Sequence, residues 1–213
     1  MDIAFLLDSS SSAGEVGYQT QKDFVKVFSR SLAMSVTGSR LGVISYSAQA
    51  RLDVAFQEHS NANDLQASID TLPFKGGASQ IDKALGLTLE VLFTVNSGAR
   101  PGIPKVAVVL TDLDTNITEY DILRKAVAPY KTDGVEVIAV GIGPKADLQD
   151  LRVLVGSEEY VLGAESFKSL VDLAGNLTLL ACKAAGKYTT LFASKERLLL
   201  LPRASETLSY SST

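Results

Sequence analysis

The chain has 213 residues, of which 46% are apolar and 21% are charged, and its formal net charge is −4. This length is enough for one globular domain with a sizeable core, and the composition excludes a chain that is disordered throughout. The acidic balance argues against a nucleic-acid-binding protein, which would carry a basic patch. No apolar run reaches the roughly 18 to 20 residues of a membrane-spanning helix. The single cysteine, Cys182, excludes an internal disulfide framework and a cysteine-rich zinc site.

Short apolar runs rich in Val, Ile and Leu predict strands that are buried on both faces of a parallel sheet. In chain order they lie at 3–7, 41–46, 105–111 and 135–142. The run at 52–56 follows the second strand too closely for a helical crossover, so we predict an antiparallel edge strand there. Helical periodicity predicts helices at about 16–34, 63–71, 79–95, 119–130, 146–154 and 166–181. This order predicts an α/β fold with a doubly wound, mostly parallel open sheet and helices on both faces.

The two ends of the sequence differ from the part between them. Met1 is followed at once by the first apolar run, without the basic start and cleavage site of a signal peptide, so we expect either a cytosolic protein or a domain taken from a longer one. From about Gly186 the sequence continues no earlier pattern. We predict a domain over 1–183 and a C-terminal tail of uncertain order over 184–213, with a genuine final strand and helix as the alternative.

Oxygen-bearing side chains follow two of the predicted strands. Asp8, Ser10 and Ser12 alternate after the first strand, so in an extended turn they project to the same side. Asp112 follows the strand at 105–111, and Ser79 opens the helix after a Gly-Gly pair. In such folds ligands bind beyond the carboxyl ends of the strands, near the point where the strand order reverses. Carboxylates and hydroxyls suit a hard cation such as Mg²⁺, Mn²⁺ or Ca²⁺, and not Zn²⁺.

These motifs resemble the metal-ion-dependent adhesion site of von Willebrand factor type A domains. The resemblance covers about residues 2–183, and Ser79-Gln80-Ile81 and Gly98-Ala-Arg-Pro-Gly102 look most like the collagen-binding third A domain of von Willebrand factor, with the A domains of collagen VI and the matrilins next. It implies that an acidic side chain of a protein ligand completes the coordination of a cation. The residues that it assigns to the cation are Asp8, Ser10, Ser12, Ser79 and Asp112.

The resemblance implies a binding module and not an enzyme. We therefore expect a secreted protein of the extracellular matrix, with collagen as its partner, Mg²⁺ (or Mn²⁺ or Ca²⁺) as its cofactor, and oligomers formed through the parent protein. Some members of the family bind collagen away from a weak metal site. Metal-independent collagen binding or filament assembly through a lateral face is therefore the alternative.

Two positions depart from the family's pattern. Ser79 stands where a threonine is usual, which keeps the hydroxyl but loses the stiffness of a β-branched side chain. Leu113 replaces the usual glycine after Asp112, which removes a flexible position next to the site.

An enzyme of a different class is the second alternative. The sequence Asp112-Leu-Asp114 after a strand is similar to the Asp-x-Asp-x-Thr signature of haloacid-dehalogenase-like phosphatases. That interpretation makes Asp112 a nucleophile and Asp114 an acid/base in a Mg²⁺-dependent reaction. The last position of the signature is Asn116 instead of threonine, and over 100 residues precede the motif, so we favour the binding module.

Three further positions carry expectations. Secreted type A domains often pair a cysteine at the end of the domain with one before the first strand, so the resemblance implies a disulfide of Cys182 whose partner is absent from this chain; the alternative is a free thiol. Asn116 and Asn176 fit the pattern of N-glycosylation acceptors. His59 lies between predicted elements and is expected to be an exposed loop residue.

Overall fold

A computed structural model describes residues 1–112, 117–143, 146 and 149–186. Its strands are β1 (Asp2–Asp8), β2 (Arg40–Tyr46), β3 (Ala50–Val54), β4 (Lys105–Thr111), β5 (Val135–Ile142) and β6 (Val161–Ala164). They form one sheet in the order β3-β2-β1-β4-β5-β6, and β3 is antiparallel to β2 while the other neighbours are parallel. The predicted fold class, with its antiparallel edge strand, is confirmed.

Helices cover both faces of this sheet. They are α1 (Gly14–Arg30), α2 (Ala62–Asp70), α3 (Ile81–Leu87), α4 (Ile117–Thr132), α5 (Phe167–Leu170) and α6 (Ala174–Ala184). The predicted helix at 79–95 is wrong in its extent, because α3 passes into a π-helical turn over Thr88–Leu92. The predicted helix at 146–154 is also wrong, since the described part is a short 3₁₀ segment, Asp150–Leu154.

The core has two layers because β1 is buried on both faces. Ile3, Phe5 and Leu7 point into the layer that contains α1, α2 and α6, and Phe5 makes edge-on contacts with two phenylalanines of α1. Ala4 and Leu6 point into the other layer, which contains α3 and α4. This double burial explains why β1 is an unbroken apolar run instead of an alternating one.

The order of the strands places a crevice at the end of β1. The chain passes from β1 through α1 to β2 on one side, whereas β4 lies on the other side of β1, so the strand order reverses between β1 and β4. β1 pairs with β2 as far as Asp8, but its pairing with β4 ends at Leu6. The last two residues of β1 therefore diverge from β4 and open a gap at the carboxyl edge, where ligands bind in folds of this class.

At the opposite edge of the sheet, an ion pair holds the start of β1. Asp2 is fully buried, and its carboxylate accepts hydrogen bonds from the backbone N–H of Arg100 at 2.8 Å and from Nε of the same residue at 3.0 Å. The Arg100 guanidinium also donates to the carbonyl of Gly38 at 2.8 Å. This contact links the first strand to two loops that are distant in sequence.

The predicted tail begins at residue 184, but residues 187–213 lie outside the described part of the chain. Of the described residues, Ala184 ends α6, and Ala185 is buried in the core layer that contains α1, α2 and α6. Among the described helices, none has the length and apolar content needed to cross a bilayer.

Candidate metal centre

The loop after β1 brings three predicted site residues together. The buried Asp8 carboxylate accepts a hydrogen bond from the backbone N–H of Ser10 at 2.8 Å. The hydroxyl oxygens of Ser10 and Ser12 are 2.9 Å apart, and the hydroxyl of Ser12 donates to Asp112 at 3.1 Å. The end of β1 and the end of β4 are thus linked across the gap between them.

Ser79 completes the group from the loop before α3. Its hydroxyl donates to the second oxygen of the Asp8 carboxylate at 3.2 Å. The structure therefore brings together all five side chains that the sequence singled out, as one hydrogen-bonded chain. Asp8 and Ser10 are buried, whereas Ser12 and Ser79 are exposed, so the crevice has a closed floor and an open mouth.

Ser9 and Ser11, which alternate with the crevice residues, contact a neighbouring loop instead of the crevice. The hydroxyl of Ser9 accepts from the backbone N–H of Lys75 at 2.9 Å, and the hydroxyl of Ser11 accepts from the N–H of Gly77 at 2.8 Å. Gly77 has a φ of +100°, which a residue with a side chain rarely adopts. Alternate serines thus face the crevice and the loop that carries Ser79, a role that the sequence interpretation missed.

Two buried residues behind Asp8 were also missed. The phenol of Tyr46 donates to the backbone carbonyl of Leu110 at 2.7 Å and lies 3.5 Å from the Asp8 carboxylate. The amide of Gln21 accepts from the backbone N–H of Asp8 at 2.8 Å and donates to its carbonyl at 2.9 Å. For Gln21, the one signal in the sequence is a polar residue on the apolar face of a predicted helix. This signal does not reveal which group the amide contacts.

The electrostatics of the crevice favour a cation. Burial raises the pKa of Asp8 to about 6; hydrogen bonds from Ser10 oppose this shift, and the charge of Asp112 adds to it. Burial, and next the charge of Asp8, raises the pKa of Tyr46 well above its ordinary value, so that its phenol stays a donor. In the described part of the chain, no lysine, arginine or histidine pairs with either carboxylate.

The donor set fits a divalent ion. Two carboxylates supply two negative charges, and the three hydroxyls add neutral oxygens, which is the chemistry of a hard cation. Among the described residues, no cluster of three or more His, Cys, Asp and Glu side chains offers another metal site. A cation here would therefore depend on serine hydroxyls as well as on carboxylates.

Comparison with known proteins identifies the family. The model of the von Willebrand factor type A domain matches residues 2–176. The chain belongs to the von Willebrand factor type A domain family. The predicted resemblance is thereby confirmed, and residues 2–176 include every residue of the crevice.

The relatives of this type A domain are parts of longer proteins. It is 29% identical over 191 residues to matrilin-2 of Mus musculus, covering 86% of this chain and 19% of the relative. It is 30% identical over 184 residues to cuticlin-6 of Caenorhabditis elegans, covering 86% of this chain and 31% of the relative. Identity with cochlin of Bos taurus is 36% over 111 residues, or 52% of this chain and 20% of the relative. The chain thus spans about a fifth to a third of these relatives.

A solved structure with the same fold is proximal thread matrix protein 1 from the mussel byssus. It superposes with a TM-score of 0.75 at 29% identity, covering 85% of this chain and 48% of the other. A further structure of that protein, 28% identical to this type A domain, is described as having a zinc-occupied motif of the metal-ion-dependent adhesion type. A site of this type therefore accepts zinc in the neighbour, although donor chemistry alone argues for a harder ion.

The other predicted positions are placed as follows. Leu113, Asp114 and Asn116 lie outside the described residues. Asn176 is exposed near the start of α6. Cys182 is half-buried and is the one cysteine of this chain, so its implied disulfide with a cysteine outside the chain stays a prediction. His59 lies in a loop, as expected, but it is half-buried and its Nε2 lies 2.8 Å from the hydroxyl of Ser68, so the expectation of an exposed side chain is wrong.

Proposed function

We propose that this type A domain is an adhesion module of the extracellular matrix that binds a protein ligand through a divalent cation. The hydrogen-bonded chain from Ser79 through Asp8 to Asp112, which includes the backbone N–H of Ser10, carries the proposal. Its five side chains place only oxygen ligands at the reversal of strand order. In this proposal the cation is Mg²⁺, with Mn²⁺, Ca²⁺ and Zn²⁺ as competitors. Its ligands are Asp8, Ser10, Ser12, Ser79 and Asp112.

The carboxylates and the hydroxyls of the crevice have different roles toward a cation. Asp8 and Asp112 neutralise a divalent ion, and the serine hydroxyls hold it without adding negative charge. A bound cation would supply a Lewis-acidic position for a carboxylate oxygen of the partner. Because the protein donors bring no further negative charge, they would not repel that acidic group. None of these residues is assigned a catalytic step.

The relatives support a matrix location. The matrilins are secreted proteins of the extracellular matrix, and the mussel neighbour is named as a matrix protein. We propose the same compartment for the protein that contains this domain. Collagen is the first partner to test, because of the resemblance at Ser79-Gln80-Ile81 and Gly98–Gly102 to collagen-binding A domains.

Calorimetric titration of the metal tests the proposal directly. Mg²⁺ and Mn²⁺ are titrated into the wild type, into Asp112→Ala and into Asp121→Ala. Asp121 is a matched control because it is an exposed carboxylate on α4 whose contact, at 3.7 Å, is with Arg124. We expect one site in the wild type and in Asp121→Ala, and none in Asp112→Ala. Absence of binding in the wild type would contradict the metal site.

A lateral face is the second candidate, and one groove favours it. A cavity of about 540 Å³ lies between α3 and α4, and the half-exposed Ile122 contributes to its wall. Three carboxylates, Asp82, Glu90 and Asp133, line it together with one lysine, so it suits a partner segment with basic and apolar side chains. Immobilised collagen separates the two modes: metal-bridged binding is lost in EDTA, whereas lateral binding survives EDTA and is weakened by Ile122→Ser.

The phosphatase interpretation gains no support from these residues. It requires Asp114, which lies outside the described part of the chain, and it gives no role to Ser10, Ser12 or Ser79. Turnover of a generic phosphomonoester that is lost in Asp112→Asn would establish it.

A further inference from the structure

A second cavity lies directly beside the metal centre. It has a volume of about 310 Å³ and opens at the carboxyl end of β2. Its lining includes Ser9, Ser45, Tyr46, Arg51, Lys75 and Gly76. Two of these residues also belong to the surroundings of the crevice, because Tyr46 contacts Asp8 and Ser9 tethers the loop that leads to Ser79. A ligand seated at the crevice would therefore have this cavity next to it.

Two cationic side chains give this cavity its charge. Lys75 is exposed, and no ion pair of its ammonium group is found among the described residues. Arg51 is partly exposed; its Nε pairs with the buried Asp53, and its Nη2 donates to Ser45 at 3.3 Å. The contacts with Asp53 and Ser45 fix the guanidinium at the cavity and use two of its five N–H donors. Asp53 compensates the charge of Arg51, so Lys75 supplies the net positive charge at the cavity.

The two sites offer different chemistry to one ligand. The crevice carries two carboxylates and needs a cation before it can accept an acidic group. The cavity is lined by a guanidinium that Asp53 and Ser45 hold in place and by an ammonium group, and both kinds of group bind carboxylates through charge-assisted hydrogen bonds. An acidic group can therefore enter the cavity without a metal ion.

From this arrangement we infer that the cavity is a subsite for a second acidic side chain of the same ligand. The inference rests on the proposed function, in which the first acidic side chain binds at the metal centre. The ligand then contains two acidic residues close together in space. Arg51 and Lys75 recognise the second of them and so select such a ligand over one with a single acidic residue.

Short synthetic peptides test the subsite in 5 mM MgCl₂ (about the concentration needed to fill a weak site). Each blocked peptide contains one glutamate followed, after zero to three glycines, by a second glutamate, and its control has glutamine at the second position. Dissociation constants come from NMR chemical-shift titrations, which measure weak binding. We expect at least one spacing to bind the wild type roughly fivefold or more tightly than its glutamine control.

Charge reversal at Lys75 is the decisive variant. Because the Lys75 side chain is exposed, we expect its replacement to leave the fold intact. In Lys75→Glu we expect the preference for the second glutamate to disappear, while the Mg²⁺ affinity from calorimetry stays within about twofold of the wild type. Lys131→Glu, at an exposed position near the end of α4, makes the same change in net charge and should keep the preference. The double variant Arg51→Gln with Asp53→Asn removes the other cation without stranding a buried carboxylate, and should reduce the preference.

The outcomes separate the two proposals. If Mg²⁺ binds the wild type but every doubly acidic peptide binds no better than its control, the subsite is contradicted and the metal site stands. A preference that persists in Lys75→Glu and in the double variant also contradicts the subsite. If Mg²⁺ does not bind the wild type, the proposed function itself fails.

Discussion

The side-chain amide of Gln21 makes both backbone hydrogen bonds of Asp8, one to its N–H and one to its carbonyl. Asp8 lies at the end of β1, two residues beyond the last pair that β1 forms with β4. Helix α1 thus supplies, through one side chain, the hydrogen bonds that a neighbouring strand would otherwise make. Because these bonds fix the backbone of Asp8, they also fix the position of its carboxylate.

Replacement of this amide should cost stability. In Gln21→Leu the N–H and the carbonyl of Asp8 remain buried without partners, so we expect the free energy of unfolding to fall by about 2–4 kcal/mol. Urea unfolding followed by circular dichroism measures the change. Gln19→Leu is the control, because Gln19 is exposed on the same helix and bonds Asp23 at the surface. Equal stability of the two variants would contradict the role of Gln21.

The hydroxyl at position 79 should control metal affinity. Ser79→Ala removes one of the proposed ligands, and we expect the Mg²⁺ dissociation constant to rise about tenfold or more. Ser79→Thr keeps the hydroxyl on a stiffer side chain, so the affinity should equal or exceed that of the wild type. Calorimetry on the three proteins makes the comparison, and a Ser79→Ala variant with unchanged affinity would remove this residue from the site.

The pH dependence of stability should reveal Asp8 in the metal-free protein. Its pKa is about 6 in the folded chain, against 3.8 for an aspartate exposed to water, so the folded state binds more protons in this interval. Its contribution is therefore fully present below pH 3.8 and is lost as the pH rises through 6, a change on the order of 3 kcal/mol. Unfolding in EDTA at pH 4.5, 5.5, 6.5 and 7.5 (roughly spanning that window) measures it.

Asp8→Asn provides the reference for that measurement, since it removes the titrating group and leaves the others. The free energy of unfolding of the wild type minus that of Asp8→Asn should decrease as the pH rises. Saturating Mg²⁺ at pH 7.5 should stabilise the wild type and leave Asp8→Asn unchanged. Parallel pH profiles in EDTA would show that Asp8 titrates in its ordinary range.

The ion pair at the other edge of the sheet should matter for stability and not for metal binding. Asp2→Asn leaves the guanidinium of Arg100 without its buried counter-charge, and we expect a loss of about 3 kcal/mol that salt changes little. Glu158→Gln breaks the exposed pair with Arg152 and should cost less than about 1 kcal/mol. Chemical unfolding at low and high ionic strength compares them; a Mg²⁺ affinity that fell in Asp2→Asn would contradict the separation of the two edges.

The central strands and the five crevice residues could be predicted because each depends on a local pattern. Buried parallel strands are continuous apolar runs. Asp8, Ser10 and Ser12 alternate after one strand end and Asp112 follows another, whereas Ser79 follows a Gly-Gly pair at the start of a predicted helix. β6 was missed because it has four residues, only one of them buried, so it lacks both length and periodicity. The π-helical turn was missed because it buries Thr88 and Leu92, two residues that also fit the helical periodicity, so the pattern does not distinguish it from an α-helix.

The supporting residues were beyond prediction for a related reason. Gln21 and Tyr46 bond to backbone groups, and a backbone group has the same chemistry at every position of the sequence. Their partners follow only from the three-dimensional arrangement of β1, α1 and β4. The charge of the cavity beside the crevice likewise depends on Lys75 and Arg51, which lie 24 positions apart and meet through the fold.

The alternation of the four serines after Asp8 has a consequence for the length of that loop. Deletion or insertion of one residue would shift the later serines along the loop, so that the contacts of Ser9 with Lys75, of Ser11 with Gly77 and of Ser12 with Asp112 would not all be kept. Replacement of one serine changes the contacts of that side chain, whereas an insertion or deletion in the loop changes several contacts at once. The spacing of this segment is therefore under tighter physical constraint than any single one of its side chains.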